Sequence, residues 1–464
     1  MQNIVLKNIG VFGILCCISA LILSCNSKDH NVQKEDMVLR ELQSSLEVLA
    51  NTWYPRTVDS VRGGFYADFN YKWDLKGEQS KMLVTQARHL WTTSTLFSHF
   101  KDSTYLELAV HAFQYLSQEM QDVDQGGFYT LLKSNGKNYV PVSKTKSAYA
   151  NAFAIYGLAT YYKVSRDTSA LSLAKKTFLW LDQNAYDTLH KGYFDVLQLD
   201  GSNLLNVETN DEAIENWIRK DWKDQNSSIH LMEAFTALYE VWPDKRLEIK
   251  LRELKLLIRD TITSQKGYLY LHLDRDWTPV VLKDSSEKYR KDNFWIDHVS
   301  FGHDVETGFL LLEASHVLHS KNDTVTRAKA KKMIDHGIAK GWDYNRGGFF
   351  DGGYYLDGTD ECTILNPAKI WWTQAEGLNA LLLMATLYPE EENYKKLFIE
   401  QWSYIQKELV DDIYGGWFIE GVEGNEEIRK ASKAHNWKVN YHNVRALINC
   451  INMLEGTYEV THKE

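Results

Sequence analysis

The sequence predicts an all-α protein built from six helix pairs, and three observations carry that reading. Only 6 prolines are spread over 464 residues, among abundant strong helix formers. A glycine-aromatic punctuation recurs six times: G-G-F-Y at 63, G-G-F-Y at 126, K-G-Y-F at 191, K-G-Y-L at 266, G-G-F-F at 347 and G-G-W-F at 415, spaced by 63, 65, 75, 81 and 68 residues. Behind each turn comes a segment with an apolar period of three to four and conspicuous polar or aromatic residues at its start. Each interval holds two helices of ordinary length plus connections, and the glycines suit a tight turn or short hairpin. Six pairs in an open stack would make a solenoid; closed on themselves they would make an α/α toroid, and periodicity leaves both open.

The chain starts with a targeting segment. Lys7 precedes an apolar run from Ile9 to Leu23, too short and wrongly flanked for a membrane span, followed by I-L-S-C at 22–25. This looks like a bacterial lipoprotein signal: residues 1–24 would be removed and lipid attached to Cys25, the lipid anchor. Residues 25–36 are then a polar tether, and residues 37–464 a single catalytic domain. Several acyl chains on Cys25 would hold the domain stably at the periplasmic face of a membrane or at a bacterial cell surface, its one link to a membrane. With Cys16 and Cys17 lost, only Cys362 and Cys450 remain beyond the anchor, so there is no disulfide framework and no zinc cluster; one bridge between those two stays open.

The polar-headed segments follow in order. They are Q-A-R-H-L-W at 86–91, S-A-Y-A-N-A-F at 147–153, N-S-S-I-H-L-M-E at 226–233, G-H-D-V-E at 302–306, W-W-T-Q-A-E at 371–376 and Y-H-N-V-R at 441–445. Arg88 and Trp91, His230 and Glu233, His303 and Glu306, and His442 and Arg445 each lie three apart, so one helix face is polar at its N-terminal end. A helix that only packs would begin its buried stripe with apolar residues. If the six are the inner helices of a ring, their N-termini converge on one mouth and their polar groups form a single funnel-shaped pocket, where helix N-termini favour developing negative charge. His303, Asp304 and Glu306 are expected to begin their helix because it points into that pocket. Trp371 and Trp372, being adjacent, are expected not to face it together. His99, His111, His319 and His336 lack such a setting and read as structural, and Trp242-Pro243-Asp244 reads as a helix end.

Composition narrows the function classes. A net charge of -10 argues against nucleic acid and anionic membrane surfaces as partners. The 15 tryptophans fill a large core or stack on sugar rings. No H-E-x-x-H or comparable spacing points to a metal.

Together the motifs resemble the N-acylglucosamine 2-epimerase superfamily and, within it, look most like the cellobiose (mannobiose) 2-epimerases. The matching stretches are Q-A-R-x-L-W, Y-x-x-A-F-A-I-Y, N-x-x-x-H-x-x-E-A-x-T-x-L-Y-x-V-W-P-D, G-H-D-x-E, W-W-x-Q-A-E and W-K-x-x-Y-H-N-x-R-A, in family order over nearly all of residues 40 to 455. The resemblance implies an (α/α)6 barrel that interconverts glucose and mannose units at the reducing end of a β-1,4-linked disaccharide or oligosaccharide, with no cofactor and no metal. Such a reaction opens the ring, removes the proton on carbon 2 through an enediolate, and returns one to the opposite face; two bases of near-neutral pKa suffice. By resemblance His303 and His442 are those bases, Arg88 stabilises the enediolate oxygen, and His230 with Asn226 assists ring opening. Glu306 orients His303 or binds a hydroxyl; Trp372 and Trp437 stack on sugar, Tyr149 offers a hydroxyl contact, and Glu376 also binds substrate. The chain departs at Ser228, at Thr373 and at Val439-Asn440, where the family commonly has His, Pro and Cys-Pro; these changes bear on substrate preference more than on chemistry. An aldose-ketose isomerase on the same scaffold would share the enediolate. A glycan-cleaving or glycan-binding α/α-barrel lipoprotein is the third reading, though hydrolysis needs two facing carboxylates and these motifs supply histidines and an arginine instead.

Overall fold

The computed structural model describes residues 35–204, 222–320, 322–356, 360–458 and 460. The expected signal, Cys25 and most of the tether lie outside the described residues.

Among the described residues twelve long helices alternate between an inner and an outer layer. The inner ones are α2 (Leu83–Phe100), α4 (Ala148–Ser165), α6 (Gln225–Val241), α8 (Phe301–Val317), α10 (Trp371–Leu387) and α12 (Tyr441–Leu454). The outer ones are α1 (35–53), α3 (Ser103–Tyr115), α5 (Thr168–Asn184), α7 (Lys245–Leu257), α9 (Thr324–Gly341) and α11 (Glu392–Tyr404). Each inner helix packs on the next, from α2 through α4, α6, α8 and α10 to α12, and α12 packs back on α2. The ring is therefore closed, an (α/α)6 barrel. Helix α1 completes the outer layer: its Glu41 accepts from Trp402 Nε1 of α11 (2.8 Å), and Gln43 reaches Glu455 just beyond α12 (3.0 Å).

Position in the layers explains the sequence pattern. Helix α5 buries Ala170, Leu173, Ala174, Thr177, Phe178 and Leu181, a one-sided stripe. Inner helices are covered on both sides, so α4 buries every residue from Ala148 to Ile155. Gly157 belongs there because a Cβ would stand 2.8 Å from the Ala87 carbonyl of α2. Four outer helices begin on an aspartate N-cap: Asp102, Asp167, Asp244 and Asp323 accept from Thr104, Ser169, Arg246 and Thr326 amides. Helix α6 ends at Val241, as the Trp242-Pro243-Asp244 run predicts.

The glycine-aromatic turns lie at the end of the barrel where the inner helices begin. Gln86, Asn151 and Gln374, each in an inner first turn, accept the backbone N–H of Phe65, Phe128 and Phe349 (2.8, 2.9 and 2.8 Å). Gly64 shows why the doublet is glycine: φ is +65° and a Cβ would meet Gln86 Oε1 at 2.6 Å. Five of the six turns also hold a buried ion pair: Lys81–Asp59 (2.9 Å), Lys146–Asp122 (2.8 Å), Lys223–Asp187 (3.0 Å), Lys369–Asp343 (2.7 Å) and Lys433–Asp411. In the fourth turn Ser264 stands where the aspartate would be, and Val299, two residues before α8, where the lysine would be. Both charges are lost together, since either alone would be a buried, unpaired ion. Short antiparallel sheets join these turns to the helices, for example Ser80–Met82 on Leu131–Ser134. Cys362 and Cys450 are free thiols, which closes the question of a bridge between them.

Candidate active site

The first turns of the inner helices converge on a pocket at this mouth, as their polar heads predict. Arg88, Tyr149, Asn226, His230, His303, Glu306, Trp371, Trp372, Trp437 and His442 line it. Its volume is about 180 Å3, below the roughly 300–1,000 Å3 of sites that enclose a drug-sized ligand. It suits one end of a larger molecule. Trp371 and Trp372 both edge it, contrary to expectation: Trp371 is buried against His435, while the Trp372 ring lies 4.8 Å from the His303 ring and 5.8 Å from the His442 ring.

Each of the three pocket histidines spends Nδ1 on an anchor. His303 Nδ1 meets Ser300 Oγ at 2.8 Å, His442 Nδ1 meets Glu376 Oε1 at 2.6 Å, and His230 Nδ1 meets Glu233 Oε2 at 2.8 Å. Nε2 is left for the pocket, and a carboxylate on Nδ1 selects the tautomer in which Nε2 carries the lone pair. Burial, followed by the fields of His230, His298 and His442, pushes His303 down to about 3. Burial, followed by Arg88, holds His442 well below the usual histidine range. Both rings are neutral at neutral pH, as a base must be before it takes a proton.

Arg88 is a cation held by neutral groups. Its Nη1 donates to the Trp437 carbonyl (3.2 Å), its Nη2 to Tyr149 Oη (3.3 Å), and the guanidinium lies over the rings of Phe153 (4.4 Å) and Tyr441 (5.1 Å). Among the described residues no carboxylate pairs with it, and its buried Nε has no partner. Its charge is thus free to meet an anion in the pocket.

Three expectations need correction. Glu376 does not line the pocket; it is wholly buried beneath His442. Glu306 does line it, but His303 is oriented by Ser300, and the Glu306 carboxylate is bonded to Arg445. Asp304 turns away from the pocket: its carboxylate takes the Leu269 N–H (3.0 Å) and faces His336 Nδ1 (3.2 Å), clamping the fourth turn as Gln86 clamps the first. Of the histidines read as structural, His336 is indeed fully engaged, with Nε2 on Tyr355 Oη at 2.8 Å.

Arg445 is the group that residue spacing passed over. It stands one turn after Tyr441 on α12 and binds carboxylates from three other helices, Glu233, Glu306 and Glu376. Its place three residues after His442 and its presence in the W-K-x-x-Y-H-N-x-R-A stretch were the sequence signals, and neither assigned it a role. Glu306, Glu376 and His442 bring ligand atoms within 4.8 Å of one another, the spacing of a metal site. Arg445 Nη2 already donates to both of those carboxylates, so a cation is built into the position.

Comparison with known proteins agrees with this geometry. The chain is 28% identical over 422 residues to a cellobiose 2-epimerase of Bacteroides fragilis, covering 90% of this chain and 99% of that one. A D-mannose isomerase of Marinomonas mediterranea is 24% identical, covering 87% and 95%. The solved cellobiose 2-epimerase of Spirochaeta thermophila superimposes with a TM-score of 0.74 at 26% identity, covering 91% of this chain and 98% of that one. The family model described as N-acylglucosamine 2-epimerase (GlcNAc 2-epimerase) matches residues 64–446. With a closed (α/α)6 ring and a match over most of its length, the chain belongs to the N-acylglucosamine 2-epimerase family.

Proposed function

We propose that the protein is a carbohydrate 2-epimerase acting on the reducing-end unit of a β-1,4-linked disaccharide or oligosaccharide of the cellobiose or mannobiose type. The observation that carries this reading is the pair His303 and His442. Both rings are neutral, both keep Nε2 for the pocket, both flank Trp372, and separate anchors hold them, Ser300 just before α8 and Glu376 on α10. One removes the proton on carbon 2 of the open-chain sugar; the electron pair moves toward carbon 1, and its oxygen takes the charge. Arg88 stabilises that oxygen, a cation placed where charge develops. The other histidine returns a proton to the opposite face of carbon 2, and the ring recloses. His230, with its Nδ1–H on Glu233, and Asn226 assist ring opening, and Trp372 and the half-exposed Trp437 offer faces for stacking.

A second reading is supported by the D-mannose isomerase relative. The same enediolate protonated on carbon 1 gives a ketose. The I-L-S-C sequence further supports export and attachment of lipid at Cys25. The protein would then act on glycan fragments at the periplasmic face of a membrane or at the cell surface.

The test is proton NMR of the protein in heavy water with cellobiose, mannobiose or mannose in parallel. A new epimer deuterated at carbon 2 is expected and identifies the preferred sugar. Ketose signals would move the assignment to isomerase, and absence of both exchange and product with all three would sink it.

A further inference from the structure

We infer that Arg445 is a positioning residue of this site: it touches none of the three pocket histidines, yet it fixes the carboxylates that orient two of them, the base His442 and the ring-opening His230. The inference rests on the histidine roles given above. The Arg445 guanidinium is buried to 3% exposure. Its Nη1 donates to Glu233 and to Tyr441 Oη, its Nη2 to Glu306 and, at 2.6 Å, to Glu376. The ring faces of Tyr441 (4.6 Å) and Phe309 (5.0 Å) cover it. Glu233 and Glu376 are the two carboxylates on Nδ1 of His230 and His442. One planar fork therefore ties together α6, α8, α10 and α12 beneath the pocket, a geometry a lysine ammonium cannot reproduce.

Charge gives the same answer. Three carboxylates meet one guanidinium, so the cluster is anionic before the histidines are counted. Glu313 on α8 lies further down, bonded to Tyr458 Oη at 2.6 Å, and Arg88 on α2 lies on the pocket side. Tyr149 and Tyr156 on α4 complete the surroundings, and burial keeps both phenols protonated. Without Arg445 the negative field on His230 and His442 rises and their Nδ1 anchors lose their fixed orientation. His303 is the built-in contrast, since its anchor is Ser300, which has no contact with Arg445.

The experiment is NMR of the full-length protein in detergent with 15N-labelled histidine rings and no sugar present, comparing wild type, Arg445→Met and Arg445→Lys. In Arg445→Met the Nδ1–H signals of His230 and His442 should shift and the protonation midpoint of His442 should rise by one pH unit or more, while the ring signals of His303 move by less than half as much. Arg445→Lys should lie between, and kcat should fall at least 100-fold in Arg445→Met with KM changed far less. If Arg445→Met does not fold, Arg445→Lys alone decides: a selective effect on His230 and His442 supports the assignment. Equal shifts at all three histidines, or none at any, overturn it. Failure of the wild type to exchange carbon-2 protons would instead remove the epimerase reading while leaving this spectroscopic result intact.

Discussion

Arg88 and the histidine pair carry opposite burdens, and their substitutions should fail differently. Arg88 meets only neutral oxygens and ring faces, so Arg88→Met removes no ion pair and the fold should survive. The loss should appear in kcat, by about 10²–10³-fold, the usual cost of removing one preorganised stabiliser of a developing oxyanion; steady-state kinetics on the preferred disaccharide measures it, and a change confined to KM would assign Arg88 to binding alone. For the histidines, two-sided chemistry makes a sharper claim. With His442→Asn, His303 can still remove and return the proton on its own face, so one epimer should exchange its carbon-2 proton in heavy water without inverting; His303→Asn should show the same behaviour with the other epimer. Epimerisation itself should fall by about 10²–10⁴-fold, the ordinary worth of a positioned acid-base group. Exchange of both epimers by either variant would show that one base serves both faces.

The mouth turns and the helices behind them show what periodicity reveals and what it hides. Glycine-aromatic turns and polar helix heads announced six units, because backbone at positive φ and polar groups in an apolar stripe each need a reason visible in one strand of sequence. Spacing could not assign faces within a turn. His303 and Asp304 are adjacent, so about 100° of helix rotation separates them; one enters the pocket and the other clamps Leu269. Nor could it show that Glu306 answers to Arg445, 139 residues later. The fourth turn, lacking both charges, suggests a test. Lys146 and Asp122 are buried and 2.8 Å apart, so Lys146→Val or Asp122→Ser alone should cost about 3–5 kcal/mol by stranding the other charge. The double variant, copying the fourth turn, should lose less than the sum of the two by about 1–3 kcal/mol in denaturant unfolding. Simple additivity would mean that the pair is not coupled.

At the scale of the whole molecule, periodicity left closure open and only the family resemblance implied it, because an open stack and a ring bury the same stripes on every helix except the first and last; contact between α12 and α2 decides it. Beyond the three pocket histidines the barrel holds others in packed surroundings, and this sets how stability responds to acid. Burial pushes His89 down to about 3 and His435 to about 4, and His298 falls to about 4 for the same first reason. His89 lies stacked on Phe65 with Nδ1 on Tyr54 Oη at 3.0 Å, while its buried Nε2 has no hydrogen-bond partner, a setting with no acceptor for the second N–H of a charged ring. In the unfolded chain each histidine takes its proton near pH 6.5, so between that value and its folded value the unfolded state binds more protons than the folded one. Stability is therefore complete above pH 6.5 and declines as the pH falls toward 3. Each fully buried histidine contributes about 2.7 kcal/mol of that decline by pH 4.5, two pKa units below its unfolded value. Urea unfolding at pH 7.5, 6, 5 and 4.5 should show a steady fall, and His89→Gln, which keeps a polar group near Tyr54 but cannot titrate, should flatten the slope. A profile unchanged by His89→Gln, or one rising toward acid, would mean that the depressed histidines are not what links this ring to pH.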